Sequence, residues 1–215
     1  NLATASLVGT LGATLDDIQM ATTLFSLIAG AFMIAGGLVG VTIGLHRALA
    51  MGLSLAVAGE MVAALSPNIF AFTWGGRVIM GLGACLITPS VLGLVAALYQ
   101  GRQRAIAFGT IAGAAALSTL SPLALGIVMD SSGFRLTFAI MAIYFVLVLC
   151  CTRLIPRTPL SGNHSHFDVA GTIVAALGMG LALFGVAHLS DWGIVDPQKL
   201  CPFTLCGLPP TPPAN

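Results

Sequence analysis

Long intervals without any Asp, Glu, Lys or Arg constrain the fold of this chain more than any other feature. These intervals cover residues 18–45, 48–59, 61–76, 78–101, 105–129, 136–152 and 169–190. A helix needs about 20 apolar residues to cross the hydrocarbon of a bilayer. The second and third intervals are too short alone, so we place Glu60 and Arg77 inside helices. The sequence therefore predicts an all-α polytopic membrane protein.

Six membrane-spanning helices follow from this pattern. They are predicted at about residues 17–44, 48–66, 69–98, 103–129, 135–154 and 168–190. The connectors contain residues that end helices, as in Ser66-Pro67-Asn68. This short hairpin should place Glu60 and Arg77 at a similar depth. Thr14 and Asp17 have the spacing of a capping box at the start of the first span.

The composition supports a lipid bilayer as the surroundings and excludes several classes of function. Charged residues make up 7% of the chain, whereas soluble domains contain about 25%. The net charge of +1 and the lack of a basic cluster predict no nucleic-acid partner. His164 and His166 lie in a polar connector without Cys or carboxylate neighbours, so we predict no metal site. Without facing carboxylates or a Ser-His-Asp set, we predict neither an enzyme nor a cofactor.

The basic residues predict the orientation of the spans. Five arginines follow the first, third and fifth spans and thus share one side: Arg47, Arg102, Arg104, Arg153 and Arg157. Basic residues concentrate in cytoplasmic loops, so this side is predicted to be cytoplasmic and residue 1 to begin outside. We expect the protein in the cell inner (plasma) membrane.

Two charged residues inside predicted spans are candidates for function. A charge in hydrocarbon costs at least ~2.5–3.5 kcal/mol, so Glu60 and Arg77 should face a partner or a water-filled cavity. Pro89 and Pro122 lie within predicted spans and are expected to kink them. Two glycine series with four-residue spacing predict close helix packing: Gly36, Gly40 and Gly44, and then Gly109 and Gly113.

Several segments, taken in order, resemble motifs of the major facilitator superfamily, and within it the fourteen-helix drug:proton antiporter branch. Residues 37–47 are similar to its cytoplasmic loop motif, with Val41 and Thr42 in place of the usual Asp and Arg. Residues 77–84 resemble its helix-four motif. The further similar segments are 121–126 for the helix-five antiporter motif, 133–138 for the start of helix six, and 167–171 with 191–193 for helix seven.

The resemblance implies a partial major-facilitator bundle that covers about helices two to seven. Residues 1–155 would be an incomplete N-terminal half without helix one. The remaining regions would be a cytoplasmic linker at 156–167, an additional transmembrane helix at 168–190 and a proline-rich tail at 191–215.

The resemblance also implies proton-coupled efflux of drugs or other small hydrophobic or cationic solutes by alternating access. Arg77 and Glu60 would serve proton coupling or the translocation path. Gly37, Gly44 and Arg47 would form the inner-loop motif, and Pro122 with Gly126 the helix-five motif. Two alternatives stay open: a truncated chain that transports nothing, and a membrane sensor or assembly protein that reuses the fold, for which Val41 and Thr42 are the cue.

Overall fold

The computed structural model describes residues 14–155 and 169–187, and the regular elements in these ranges are all helical. The helices are α1 Leu15–Ala31, α2 Met33–Ile43, α3 Leu45–Leu65, α4 Val78–Leu98, α5 Gly101–Ser118, α6 Ser121–Ser132, α7 Phe134–Cys151 and α8 Val169–Ala187. A π-helical turn, Ala71–Arg77, leads directly into α4, and a 3-10 turn, Thr152–Leu154, follows α7. The predicted all-α class is confirmed.

Three helical segments in the described ranges are long and apolar enough to cross a bilayer by themselves: Leu45–Leu65, Ala71–Leu98 and Phe134–Leu154. Two further spans are formed if each of two bent helix pairs counts as one. These five agree with the first five predicted spans. The sixth corresponds to α8, whose apolar stretch Gly171–Val186 is shorter. Residues 1–13, the linker at 156–167 with its two histidines, and the tail at 191–215 lie outside the described residues.

The first predicted span is two helices rather than one. The chain bends by 47° between α1 and α2 at Phe32. At the other end of α1 the predicted capping box is present, because the Asp17 N–H donates to Thr14 Oγ1 over 3.2 Å and the Thr14 N–H donates to Asp17 Oδ2 over 2.9 Å. Beyond the bend, Gly36 lies against the Cys85 carbonyl so closely that a Cβ would overlap it.

The fourth predicted span is also broken, with a bend of 45° between α5 and α6. Pro122 lies in the first turn of α6, where its missing N–H costs no helical hydrogen bond. The proline therefore begins a new helix instead of kinking a continuous one. The packing predicted for Gly109 and Gly113 is wrong for the described part of the chain, since no other heavy atom there lies within 4 Å of a Cβ built on either residue.

The centre of the bundle is α3, which packs against α2, α4 and α7. Glycines with a seven-residue spacing let α3 approach the α4 segment at two levels. A Cβ on Gly52 would lie 2.9 Å from the Gly83 carbonyl oxygen, and a Cβ on Gly59 would lie 2.9 Å from that of Gly76. Any larger residue would separate the backbones. This contact fixes the position of the residues that follow Gly59 and Gly76.

Candidate buried charge site

The close approach of Gly59 and Gly76 brings Glu60 of α3 and Arg77 of the π-helical turn together. Each charged residue directly follows one of these glycines in the sequence, and each acts electrostatically on the other. The π-helical turn is wider than an α-helical one, and such turns occur frequently at functional sites. The hairpin thus places both candidate residues at the same depth.

Glu60 is deeply buried, with 3% of its surface exposed. Its Oε2 atom is inaccessible and has no hydrogen-bond partner among the described residues. A buried carboxyl oxygen without a donor is costly when it carries a charge, because neither water nor protein compensates for the lost hydration. The site therefore contains a carboxyl group whose charge only the nearby Arg77 balances through space.

The Arg77 guanidinium is held mainly by aromatic rings. Its Cζ atom lies 4.7 Å from the ring centroid of Phe72 and 5.2 Å from that of Phe138. Its Nη1 atom donates weakly to Met80 Sδ at 3.8 Å. Cations within about 6 Å of an aromatic centroid are attracted to the ring face. Arg77 therefore has cation–π contacts on its own turn and on α7.

Phe72 and Phe138 belong to a buried cluster that joins α7 to the hairpin. The centroids of Phe72 and Phe134 are 5.7 Å apart, those of Phe72 and Phe138 are 5.4 Å apart, and those of Phe134 and Phe138 are 4.9 Å apart. These three phenylalanines were not among the predicted site residues. Phe134 and Phe138 are four residues apart, which places them on one helix face, but that spacing does not show that the face meets Arg77.

The inner-loop residues lie at the opposite end of α3. Gly44 separates α2 from α3 with φ +98°, a conformation that favours glycine. Gly37 packs near Pro89, since a Cβ built on Gly37 would lie 3.5 Å from the Pro89 Cβ. Arg47 is exposed. Glu60 lies thirteen positions after Arg47, which corresponds to about 20 Å of helix. The structure does not bring these motif residues to the buried charges.

A hydrogen bond ties this inner end of α3 to the end of α7. His46 Nε2 lies 2.8 Å from the Thr152 carbonyl oxygen. This contact has no local signal in the sequence, because the two residues are 106 positions apart. It means that α7 is joined to the hairpin at both ends, by His46 of α3 at one and by the aromatic cluster at the other.

Pro122 and Gly126 lie on α6, apart from both of these regions. Pro122 is exposed and Gly126 is buried. Among the described elements, helix α6 packs mainly against α7, and α5 beside it has no buried residue among those described. Among the described residues, no three or more His, Cys, Asp or Glu side chains form a group that could hold a metal ion.

Two cavities lie between α1 and α8. The larger, about 560 Å³, has entirely apolar walls that include Leu27, Phe32 and Phe184. The smaller, about 300 Å³, is lined by the hydroxyl-bearing Thr22, Thr23 and Ser26 together with apolar side chains. Neither cavity includes Glu60 or Arg77.

The family model described as "Major Facilitator Superfamily" matches residues 1–190, which include the buried charge site and the described helices. The chain belongs to the Major Facilitator Superfamily. Members of this family are transporters built of membrane-spanning helices. The family and the apolar helices together show a multi-pass membrane protein. The predicted family is thus confirmed.

Several curated relatives within the Major Facilitator Superfamily are similar to most of the chain. The Methylenomycin A resistance protein of Bacillus subtilis (strain 168) is 28% identical over 95% of this chain and 44% of its own length. The Riboflavin transporter RibZ of Clostridioides difficile (strain 630) is 22% identical over 82% of this chain and 39% of its own length. The Multidrug resistance protein Stp of Mycobacterium tuberculosis (strain CDC 1551 / Oshkosh) is 25% identical over 86% of this chain and 35% of its own length. The chain thus spans less than half the length of these relatives.

Proposed function

We propose that this chain belongs to a secondary active transporter that couples proton entry to the efflux of drugs or other small hydrophobic or cationic solutes by alternating access. The observation that carries the proposal is the buried Glu60 carboxyl beside Arg77 in a membrane-spanning hairpin. Ionisable residues within spans mark ion or substrate pathways. In such a transporter, Glu60 takes up and releases the proton, and Arg77 adjusts how readily it does so.

The wider assignment follows the order of the motifs. We propose that the chain contributes helices two to seven of a transporter in the fourteen-helix drug:proton antiporter branch, located in the inner (plasma) membrane. Gly37, Gly44 and Arg47 shape the inner loop that closes during the cycle, and Pro122 with Gly126 shapes helix-five packing. The printed names of relatives, which concern an antibiotic, riboflavin and multiple drugs, support a small-molecule solute. The alternatives, a chain that transports nothing or a sensor or assembly protein, are not favoured by these comparisons.

Proton-driven transport in membrane vesicles tests this proposal. Everted vesicles that contain the full-length protein would be acidified inside, and uptake of the hydrophobic cation ethidium would be followed by fluorescence. We expect Glu60→Gln to abolish proton-driven uptake, because the amide cannot exchange a proton. We expect Arg77→Ala to reduce the rate of proton-driven uptake by tenfold or more. The loss of one charge interaction worth ~1.4 kcal/mol corresponds to a factor of ten.

The exposed Arg135 on α7 provides the matched control, since Arg135→Ala removes an arginine outside the buried site. This variant should retain uptake near the wild-type rate. Full proton coupling in both Glu60→Gln and Arg77→Ala would overturn the assignment of the site. Protein amount in the vesicles would be measured for each variant so that rates refer to equal quantities.

A further inference from the structure

The position of the Arg77 side chain reports on the charge of Glu60. An arginine that meets an ionised carboxylate forms charge-assisted hydrogen bonds, which are the strongest available to it. Instead, the guanidinium lies over Phe72 and Phe138, and Glu60 Oε2 has no hydrogen-bond partner among the described residues. This arrangement fits a neutral, protonated Glu60, because a neutral carboxyl does not compete with the rings for the guanidinium.

We propose that Phe72 and Phe138 are positioning residues that hold Arg77 while Glu60 is protonated, and that Arg77 moves to the Glu60 carboxylate when the proton leaves. The inference rests on the proposed proton coupling at this site. In the step, the carboxyl O–H bond breaks, the proton passes to water in the path, and the carboxylate accepts N–H bonds from Arg77. Reprotonation returns the guanidinium to the rings.

Other charged groups do not replace Arg77 in this exchange. The elements packed against α3 are α2, the π-helical turn, α4 and α7. Their titratable side chains besides Arg77 are Cys85 on α4 and Arg135, Tyr144, Cys150 and Cys151 on α7, with Arg153 just beyond. His46 and Arg47 lie at the far end of α3 itself. Among the described residues, Arg77 is the charge that acts on Glu60.

The exchange has a mechanical consequence because the two rings lie on different elements. Phe72 is in the π-helical turn, whereas Phe138 is on α7. While Arg77 contacts both rings, it bridges α7 to the hairpin. When Arg77 turns to Glu60, that bridge is lost. The contact between α7 and the hairpin at this end is then weaker, because the ring contacts of Phe72 with Phe134 and Phe138 remain without the cation between them. Protonation of one residue thereby controls the contact between two membrane-spanning segments.

Electron paramagnetic resonance on the full-length protein in lipid nanodiscs tests the switch. Nitroxide labels would be attached to cysteines at Leu65 of α3 and Leu136 of α7, both exposed, in a variant without native cysteines. We expect the distance between labels to increase from acidic to alkaline buffer. Glu60→Gln should keep the short acidic distance in both buffers, and Phe138→Leu should keep the long distance in both.

Phe134→Leu is the matched control, since it removes a buried ring of the same cluster, whereas the cation–π contacts described for Arg77 are to Phe72 and Phe138. This variant and Phe138→Tyr, which keeps the ring, should follow the wild-type pH response. If Phe138→Leu does not fold, Phe72→Leu removes the other ring and should give the same long distance. If Phe138→Leu or Phe72→Leu showed the same pH-dependent change in label distance as the wild type, the switch would be refuted.

The switch and the proposed function fail in different ways. If the wild-type distance is the same in both buffers while ethidium transport still depends on Glu60, the switch is refuted and the proposed function stands. If transport itself is independent of Glu60, the proton-coupling assignment fails whatever the labels report.

Discussion

At the residue scale, the cost of burying charge shapes the site around Glu60. A charge at the bilayer centre costs at least ~2.5–3.5 kcal/mol. Two aromatic faces offset part of this cost for Arg77, because a desolvated cation–π contact contributes about 2 kcal/mol. Glu60 Oε2 has no comparable partner among the described residues. Since arginine stays protonated in proteins, Glu60 is the member of this pair to which we assign the proposed proton exchange.

A second residue-scale prediction concerns His46. His46→Ala removes the hydrogen bond to the Thr152 carbonyl, and the free energy of unfolding should fall by about 0.5–1.5 kcal/mol. The measurement is the thermal unfolding midpoint of the protein in detergent. Arg153→Ala, an exposed change at the same end of the bundle, should leave the midpoint close to wild type. Equal midpoints for His46→Ala and Arg153→Ala would mean that the hydrogen bond contributes no stability.

At the element scale, the glycines between α3 and the α4 segment determine how closely these helices pack. Gly59→Val would place a branched side chain where a single Cβ already meets Met80 N at 2.8 Å and Gly76 O at 2.9 Å. The helices would have to separate, at a cost of about 1–3 kcal/mol or more. We expect a lower unfolding midpoint and weaker proton-driven transport, because Glu60 and Arg77 would move apart.

The matched control for this prediction is Gly109→Val on α5. A Cβ at Gly109 meets no heavy atom of another described helix within 4 Å. The change should therefore alter the midpoint only through the slightly higher helix propensity of valine than of the glycine it replaces, a few tenths of a kcal/mol. A midpoint for Gly59→Val that matches the control would refute close packing at this level.

The elements differ in how far the sequence could predict them. The Thr14–Asp17 capping box and the hairpin at residues 66–68 depend on local spacing, and both are present in the structure. The bend at Phe32 and the π-helical turn were not predicted, because no proline marks either position. Both lie beside close tertiary contacts, of Gly36 with Cys85 and of Gly76 with Gly59, which local spacing does not reveal.

The same limit applies within the candidate site. The hairpin predicted that Glu60 and Arg77 lie at a similar depth in the membrane. This prediction requires only the number of residues between each of them and the turn. The contact of Arg77 with Phe138 depends on how α7 packs against the hairpin, and one sequence contains no direct record of that packing. The roles assigned to Gly37, Gly44, Arg47, Pro122 and Gly126 remain predictions.

At the scale of the whole molecule, α3 connects two regions with separate tasks. One end carries the buried charges and the aromatic cluster, and the other carries Gly44 and the His46 contact to α7. In the proposed switch, a change in the contact between α7 and the hairpin at one end would reach the other end through α3 and α7. Alternating access requires such communication between the two membrane surfaces.

The most direct test of this account is the sidedness of the turns that flank α3 and α4. Single cysteines would replace Pro67 in the hairpin and Arg102 after α4, in a variant of the full-length protein without native cysteines. Intact cells would be treated with a membrane-impermeant maleimide. The account predicts labelling at position 67 from outside, and at position 102 only after the membrane is permeabilised. Labelling of position 102 in intact cells would contradict it.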